Sequence, residues 1–174
     1  NLCSCLDNLT ETEKNGRISR ANQLPMYTCM TGNLASQKDT DCYMVTLPKD
    51  GNIKFKFTHH ADAYSYHWEA TIYDTDKSTV LNEGYIEKEE FGCSNLPAGT
   101  YYIKISPISG GNPILNTFSD ADYHLIFIPE CTEHTETTDY LTEIPQDSAP
   151  VEIITVCNHC SAVVSVVSLE KLEP

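Results

Sequence analysis

The stretch from Asp39 to Phe57, DTDCYMVTLPKDGNIKFKF, constrains the fold more than any other part of the chain. Apolar and polar residues alternate along both of its halves, as in strands with one buried face. The apolar positions are Tyr43, Val45, Leu47, Ile53, Phe55 and Phe57. Between the halves, Pro48 presets φ for a turn and Gly51 tolerates a positive φ. We therefore predict a β-hairpin here.

The same device recurs downstream at LPAGT, residues 96–100, which leads into the alternating run YYIKIS. A long strand is predicted over residues 64–72, where Tyr64, Tyr66 and Trp68 share one parity. It ends at the turn-forming DTDK, and residues 79–85 supply its partner strand. The later segment DYHLIFIP is apolar on both faces, which predicts a central strand.

Short strands at regular spacing, with turns rich in Gly, Pro and Asp, predict an all-β protein, an antiparallel β-sandwich of jelly-roll type. A chain of 174 residues is long enough for one such domain with a full core. We assign the sandwich to residues 1–130. Residues 131–174 are predicted to be a strap or linker rich in Thr, Glu and Pro, followed by a strand segment that contains cysteine.

The net charge of −14 disfavours nucleic acid and anionic membranes as partners, because both repel an acidic surface. No apolar run is long enough to cross a bilayer, and the start of the chain shows no basic segment followed by an apolar one, as a leader would have. We expect a secreted or cell-surface protein whose leader has been removed.

The eight cysteines form an even set, which favours disulfides if the chain is secreted. A Zn²⁺ site that joins Cys157 and Cys160 to Cys3 and Cys5 is a less favoured alternative, because CSC has only one residue between its cysteines. Free thiols also remain open.

Four segments in this order, DTDCYMVTLPKDGNIKFKF, WEATIYDTD, LPAGTYYIKIS and DYHLIFI, resemble the bacterial pre-peptidase C-terminal domain. The resemblance covers residues 39–128. It implies a noncatalytic, jelly-roll-like sandwich that is attached to a secreted hydrolase and holds that enzyme on an insoluble polymer. Collagen-binding domains of clostridial collagenases are related to this family, and many carbohydrate-binding modules share the architecture.

The collagenase relatives bind Ca²⁺ through a Glu-x-Glu-x-Asn segment, which Glu11, Glu13 and Asn15 match here. Asp39 and Asp41 approximate the second acidic element of that site. Gly16 stands where a further acidic ligand would be expected. The chemistry of these residues agrees with the resemblance, because Ca²⁺ takes six to eight oxygen ligands and is served by clustered carboxylates and amides.

Aromatic side chains are the best candidates for ligand binding, because flat rings stack on sugars or peptide side chains at little entropic cost. The candidates are Tyr64, Tyr66, Trp68, Tyr85 and Tyr102, with His67 as a hydrogen-bonding partner. The parity of Trp68 favours a core position for that residue, whereas Tyr102 is predicted to face outward.

No nucleophile elbow, HExxH helix or phosphate-binding loop is present, and we assign no catalytic residue. The leading hypothesis is a noncatalytic extracellular module that binds a polymer, polysaccharide first and matrix protein second, beside a tethered enzyme. The first alternative is a spacer stabilised by Ca²⁺ or disulfides. The second is a small hydrolase, with a carboxylate pair or a cysteine–histidine pair drawn from Cys131, Cys157, His134 and His159.

Overall fold

The computed structural model describes residues 7–59, 67–108, 119–142 and 151–169. Within these ranges the chain is almost entirely β-structure, with one short 3-10 helix at Ile18–Arg20. The strands are β1 (Asp7–Thr10), β2 (Asn22–Gln23), β3 (Thr28–Gly32), β4 (Asp41–Leu47), β5 (Gly51–His59), β6 (Trp68–Tyr73), β7 (Val80–Tyr85), β8 (Glu90–Leu96), β9 (Gly99–Pro107), β10 (Tyr123–Cys131), β11 (Thr137–Leu141), β12 (Val151–Cys157) and β13 (Val163–Leu169).

Two five-stranded sheets form a β-sandwich, as predicted. The first sheet has the order β1-β3-β10-β5-β8, and the second has the order β2-β4-β9-β6-β7. The pairs β1–β3 and β2–β4 are parallel, and the remaining pairs in both sheets are antiparallel. As DYHLIFIP predicted, β10 is central in its sheet, since it pairs with β3 on one side and β5 on the other.

The core lies between the sheets and is filled by side chains from the strand faces that alternation predicts to be apolar. Tyr43, Val45 and Leu47 of β4 are buried there, as are Ile53, Phe55 and Phe57 of β5. Ring contacts continue across the core, with the Phe57 centroid 5.1 Å from Tyr123 and 5.5 Å from Trp68. Such aromatic pairs add about 0.5–1.5 kcal/mol each to the free energy gained by burial.

The two predicted hairpins are wrong in their pairing. β4 pairs with β9 in one sheet, whereas β5 pairs with β10 and β8 in the other. The LPKDG turn therefore carries the chain from one sheet to the facing one. The LPAGT turn does the same, because β8 and β9 also belong to different sheets. In each case the apolar faces of consecutive strands meet across the core. Alternation alone does not distinguish this arrangement from a hairpin, because the same residues are apolar in both.

The hairpin predicted at DTDK is confirmed, since β6 and β7 pair in antiparallel register. Asp76 organises its turn by accepting hydrogen bonds from the backbone N–H groups of Ser78 and Thr79 at 2.9 and 2.8 Å. The Thr79 hydroxyl and these N–H groups lower the pKa of Asp76 to about 2. Lys77, which lies between Asp76 and Ser78, adopts a positive φ of 66°. The preceding residues 60–66 lie outside the described ranges.

A third sheet, of order β11-β12-β13, follows the sandwich. It includes β11, which lies in the segment predicted to be a strap, and it contacts the sandwich directly. Tyr27 Oη donates to the Cys160 carbonyl at 2.6 Å, and Lys49 Nζ lies 3.0 Å from Glu136 Oε1. Among the described residues, no helix has the length and apolar character needed to span a membrane.

Candidate functional site

The segment after β1 contributes a carboxylate and an amide to a buried polar cluster. The backbone N–H of Glu11 donates to the Thr31 carbonyl at 2.9 Å, which fixes this residue beside β3. The Asn15 carbonyl accepts from the N–H of Cys42 at 3.1 Å. Asn15 Nδ2 donates to Glu11 Oε2 at 2.8 Å, so the structure brings two residues of the predicted calcium motif together.

Asp41, at the start of β4, joins this cluster through two buried tyrosines. Tyr123 Oη donates to Asp41 Oδ2 at 2.6 Å, and it lies 2.7 Å from Tyr43 Oη. Tyr43 Oη donates in turn to Glu11 Oε2 at 3.1 Å. Alternation places Tyr43 on an apolar strand face, and DYHLIFIP is a strand with two apolar faces, but neither pattern predicts this role for the tyrosine hydroxyls, although a buried tyrosine hydroxyl usually has a polar partner.

Two oxygen atoms of the cluster are buried without a hydrogen-bond partner, Asn15 Oδ1 and Asp41 Oδ1. Burial raises the pKa of the Asp41 carboxyl to about 8; the hydrogen bond from Tyr123 opposes this shift, and the nearby charges of Glu11 and Asp39 add to it. An unpaired buried acceptor costs about 1–3 kcal/mol, and a second carboxylate nearby adds repulsion. Carboxylate and amide oxygens left in this state fit the ligand chemistry of Ca²⁺.

The other residues of the predicted calcium set are less closely joined to the cluster. Asp39 is half-buried, and its two oxygens accept from the N–H groups of Ala35 and Thr40 at 2.7 and 3.0 Å. Glu13 is exposed, and its carboxylate accepts from the N–H of Lys14 at 3.2 Å. A Cβ at Gly16 would lie 2.9 Å from the Thr40 carbonyl oxygen, so an acidic side chain has no room there.

The predicted aromatic ligand-binding residues do not form one exposed surface among the described residues. Trp68 is 1% exposed in the core, as its parity indicated, and His67 is also buried. Tyr85, at the end of β7, is 45% exposed. Tyr64 and Tyr66 lie outside the described residues.

Tyr102 lies on the outer face of its sheet, as predicted, but it is not open to a ligand. Its register neighbours are Met44 on β4 and Tyr73 on β6, and Lys77 Nζ lies 5.6 Å from its ring centroid. These neighbours leave the side chain only 7% exposed. The prediction of an exposed binding ring at this position is therefore wrong.

An open groove of about 210 Å³ lies where the edge strands β7 and β8 approach each other. It exists because small residues meet there: Gly84 pairs with Ala70, and a Cβ at Gly84 would meet no atom within 4 Å. Its apolar lining comprises Ala70, Ile72, Ile86 and Phe91, and Tyr85 also lines it. Its polar lining comprises Asn82, Glu83, Glu87, Lys88 and Glu90.

The sulfur atoms of Cys131, Cys157 and Cys160 lie within 4.8 Å of one another, and none of the three forms a disulfide in the structure. Burial raises the pKa of the Cys131 thiol to about 12. Burial also acts to raise the pKa of Cys157, but backbone N–H groups of Cys160 and His159 and the His134 side chain lower it to about 6. Cys3 and Cys5, the other half of the predicted zinc set, lie outside the described residues.

No family model matches the chain, and no curated protein matches it. Several solved structures resemble its fold, among them the following two. The pre-peptidase C-terminal domain of a collagenase from Bacillus anthracis is 19% identical with a TM-score of 0.45, and the match covers 62% of this chain and 93% of that one. It belongs to the family that the ordered sequence motifs resemble.

The second structure is PliG of Aeromonas hydrophila, a periplasmic inhibitor of g-type lysozyme. It is 9% identical with a TM-score of 0.42, and the match covers 68% of this chain and 95% of that one. At these identities and TM-scores, neither similarity bears on ligand or function.

Proposed function

We propose that this chain is a noncatalytic, extracellular accessory module that binds a neutral polymer, polysaccharide first and matrix protein second, in the groove between β7 and β8. The observation that carries the proposal is the combination of apolar lining residues with a half-exposed tyrosine, Tyr85, in one open groove. A bound sugar ring would stack on Tyr85 while its hydroxyls donate to the surrounding carboxylates.

The charge around the groove supports a neutral ligand. Glu83, Glu87 and Glu90 outnumber Lys88 there, and the whole chain has 25 acidic residues against 11 basic ones. Acidic polymers would be repelled, whereas hydroxyl-bearing chains are good donors to carboxylates. Affinity for a short ligand would be modest, and a tethered hydrolase on the same polymer would add effective concentration.

Calcium is the cofactor of this proposal. Glu11, Asn15 and Asp41 would hold the ion, with Asp39 adjacent, and Ca²⁺ would satisfy the two unpartnered oxygens. Its role would be structural, because it would tie the N-terminal segment to β4. If the groove binds no polymer, a Ca²⁺-stabilised spacer is the remaining function.

Affinity electrophoresis through gels that contain neutral polysaccharides tests the proposal, with binding to immobilised collagen as the second arm. Two variants address the groove: Tyr85→Ala removes the ring, and Gly84→Leu fills the space that glycine leaves. Tyr140→Ala is the matched control, since Tyr140 is 56% exposed on β11. We expect both groove variants to bind at least about tenfold more weakly, because loss of an aromatic anchor costs about 2 kcal/mol or more.

The control should bind like the wild type. If the wild type is retarded by no polysaccharide and does not bind collagen, the polymer-binding proposal is wrong. If binding occurs but Gly84→Leu leaves it unchanged, the ligand lies elsewhere.

A further inference from the structure

The third sheet has no conventional hydrophobic core. The side chains of β11 and β13 are exposed along their whole length, and those of β12 are half-buried up to Cys157. In the described part of the sheet, the buried cluster consists of Cys131, Cys157 and Cys160, with Ala162 partly buried against it. A three-stranded sheet this small needs a further stabilising element such as a disulfide or a bound metal, because it buries too little apolar surface to offset the conformational entropy lost on folding.

A fourth potential ligand lies beside two of the three sulfurs. His134 Nδ1 is 3.7 Å from Cys160 Sγ, and the same ring contacts Cys157. Zn–S bonds of about 2.3 Å and Zn–N bonds of about 2.0–2.1 Å place tetrahedral ligand atoms roughly 3.5–3.8 Å apart. The His134–Cys160 distance matches one edge of that tetrahedron, and the sulfur separations, all within 4.8 Å, need only a small contraction.

The sequence spacing around these residues is also that of a metal site. Cys131 and His134 are three positions apart, as are Cys157 and Cys160, so the set is C-x-x-H followed by C-x-x-C. Pairing of β11 with β12 places Thr137 opposite Cys157 and thereby brings the two short motifs together. From the sequence alone, the candidate partners of Cys157 and Cys160 are Cys3 and Cys5.

The turn after β12 presents its cysteines as a metal-binding knuckle does. Backbone N–H groups of His159 and Cys160 donate to the Cys157 sulfur. The turn is closed by Ser161, whose N–H donates to the Cys157 carbonyl at 3.0 Å and whose φ is 59°. Thr132, within the first motif, is held by its N–H and its hydroxyl, which donate to the Asp50 carbonyl at 3.2 and 3.0 Å.

We propose that Cys131, His134, Cys157 and Cys160 bind one Zn²⁺ ion in a closed tetrahedral site that serves as the core of the third sheet and fastens it to the sandwich. Three soft thiolates and one imidazole are a zinc set and a poor set for Ca²⁺, which prefers oxygen. Four protein ligands leave no open position, so the site is structural and not catalytic.

The neighbouring histidine is engaged elsewhere, which leaves His134 as the fourth ligand. His159 Nε2 lies 3.1 Å from Glu136 Oε2, and Lys49 binds the other oxygen of the same carboxylate. The two histidines therefore form a matched pair for mutagenesis, with one at the proposed metal and one beside it.

Metal analysis of the full chain tests the proposal. The protein is prepared under reducing conditions with Zn²⁺, desalted, and analysed for metal by inductively coupled plasma mass spectrometry. We expect one zinc per chain. Replacement by Co²⁺ should give intense visible d–d bands and thiolate-to-cobalt charge-transfer bands, the signature of a tetrahedral site with sulfur ligands.

The variants Cys157→Ser and His134→Ala should bind zinc at least about tenfold more weakly, since loss of even an outer-shell partner costs about 10–100-fold. The controls His159→Ala and Cys93→Ser should keep wild-type affinity, because Cys93 lies on β8, outside the cluster. Removing zinc with phenanthroline should speed amide hydrogen exchange in β12 and leave exchange in β5 unchanged. This readout uses the wild-type chain and does not depend on the folding of a variant.

The proposal is overturned if the reduced wild type retains no more zinc than Cys157→Ser, or if its Co²⁺ spectrum is octahedral. It is also overturned if intact-mass analysis finds a disulfide among the three cysteines and the reduced chain takes up no Co²⁺. Full affinity in His134→Ala together with weak binding in His159→Ala would reject the ligand assignment.

Discussion

Calcium should stabilise this protein measurably, and the size of the effect follows from the N-terminal cluster. Asn15 Oδ1 and Asp41 Oδ1 are buried without partners, at a cost of about 1–3 kcal/mol each. An ion that satisfies both would therefore recover about 2–6 kcal/mol. Extracellular calcium sites have Kd values of about 10⁻⁴–10⁻³ M, so about 10 mM CaCl₂ is about 100 times the Kd of the tighter ones.

At a calcium concentration of about 100 times Kd, mass action stabilises the folded state by about 2.7 kcal/mol, in the lower part of that range. For a chain of this length, each kcal/mol shifts Tm by about 2–4 °C. The expected increase is therefore about 5–11 °C. Differential scanning calorimetry of calcium-free protein, with and without CaCl₂, measures it, and MgCl₂ should have a much smaller effect because Mg²⁺ demands octahedral geometry.

The variant Asp41→Asn separates calcium binding from general salt effects. Its amide keeps an acceptor for the Tyr123 hydroxyl but cannot ionise to the carboxylate that would bind the ion. Without calcium it should be at least as stable as the wild type, and with calcium it should gain little. Asp7→Asn, on the exposed face of β1, should respond like the wild type. A wild-type shift below about 1 °C, or an equal shift in Asp41→Asn, would refute the reasoning.

Three further predictions concern stability, measured by urea denaturation. Gly32→Ala should lower the free energy of unfolding by more than about 1 kcal/mol, because its Cβ would lie 2.5–2.6 Å from two buried tyrosine hydroxyls. Gly84→Ala should change the free energy of unfolding little, because its Cβ would meet no atom within 4 Å. Equal effects of the two substitutions would contradict the packing argument. Phe55→Ala should cost about 3–5 kcal/mol, since the ring is fully buried, and a cost below about 1 kcal/mol would place it outside the core. Lys49→Ala should cost less than about 1 kcal/mol, because its ion pair with Glu136 is solvent-exposed, and a larger loss would indicate cooperative anchoring of the third sheet.

Part of the candidate site could be predicted from sequence. The family resemblance implied that Glu11, Asn15 and Asp41 belong to one oxygen-rich site, and the structure joins these residues through hydrogen bonds. The tyrosine hydroxyls that link them were not predicted, because parity assigns a side chain to the core without saying what its polar end contacts. The groove was missed because it depends on an absence of side-chain volume at Gly84.

By itself, the sequence determined which residues face the core. Alternation at Tyr43, Val45 and Leu47, and again along β5 and β10, requires strands with one buried face, and these strands form as predicted. Side-chain parity is a local property, set by the two-residue period of an extended backbone.

Only the tertiary structure decided which strands pair and which distant side chains meet. β4 and β5 are consecutive, yet they lie in opposite sheets. Their apolar faces would point into the core whether the two strands paired in one sheet or faced each other from two sheets, so alternation does not decide between these arrangements. Cys131 and Cys157 are likewise brought together by the register of β11 on β12. Hydrogen-bond pairing between strands depends on how the whole chain closes its two layers, and no short segment contains that information.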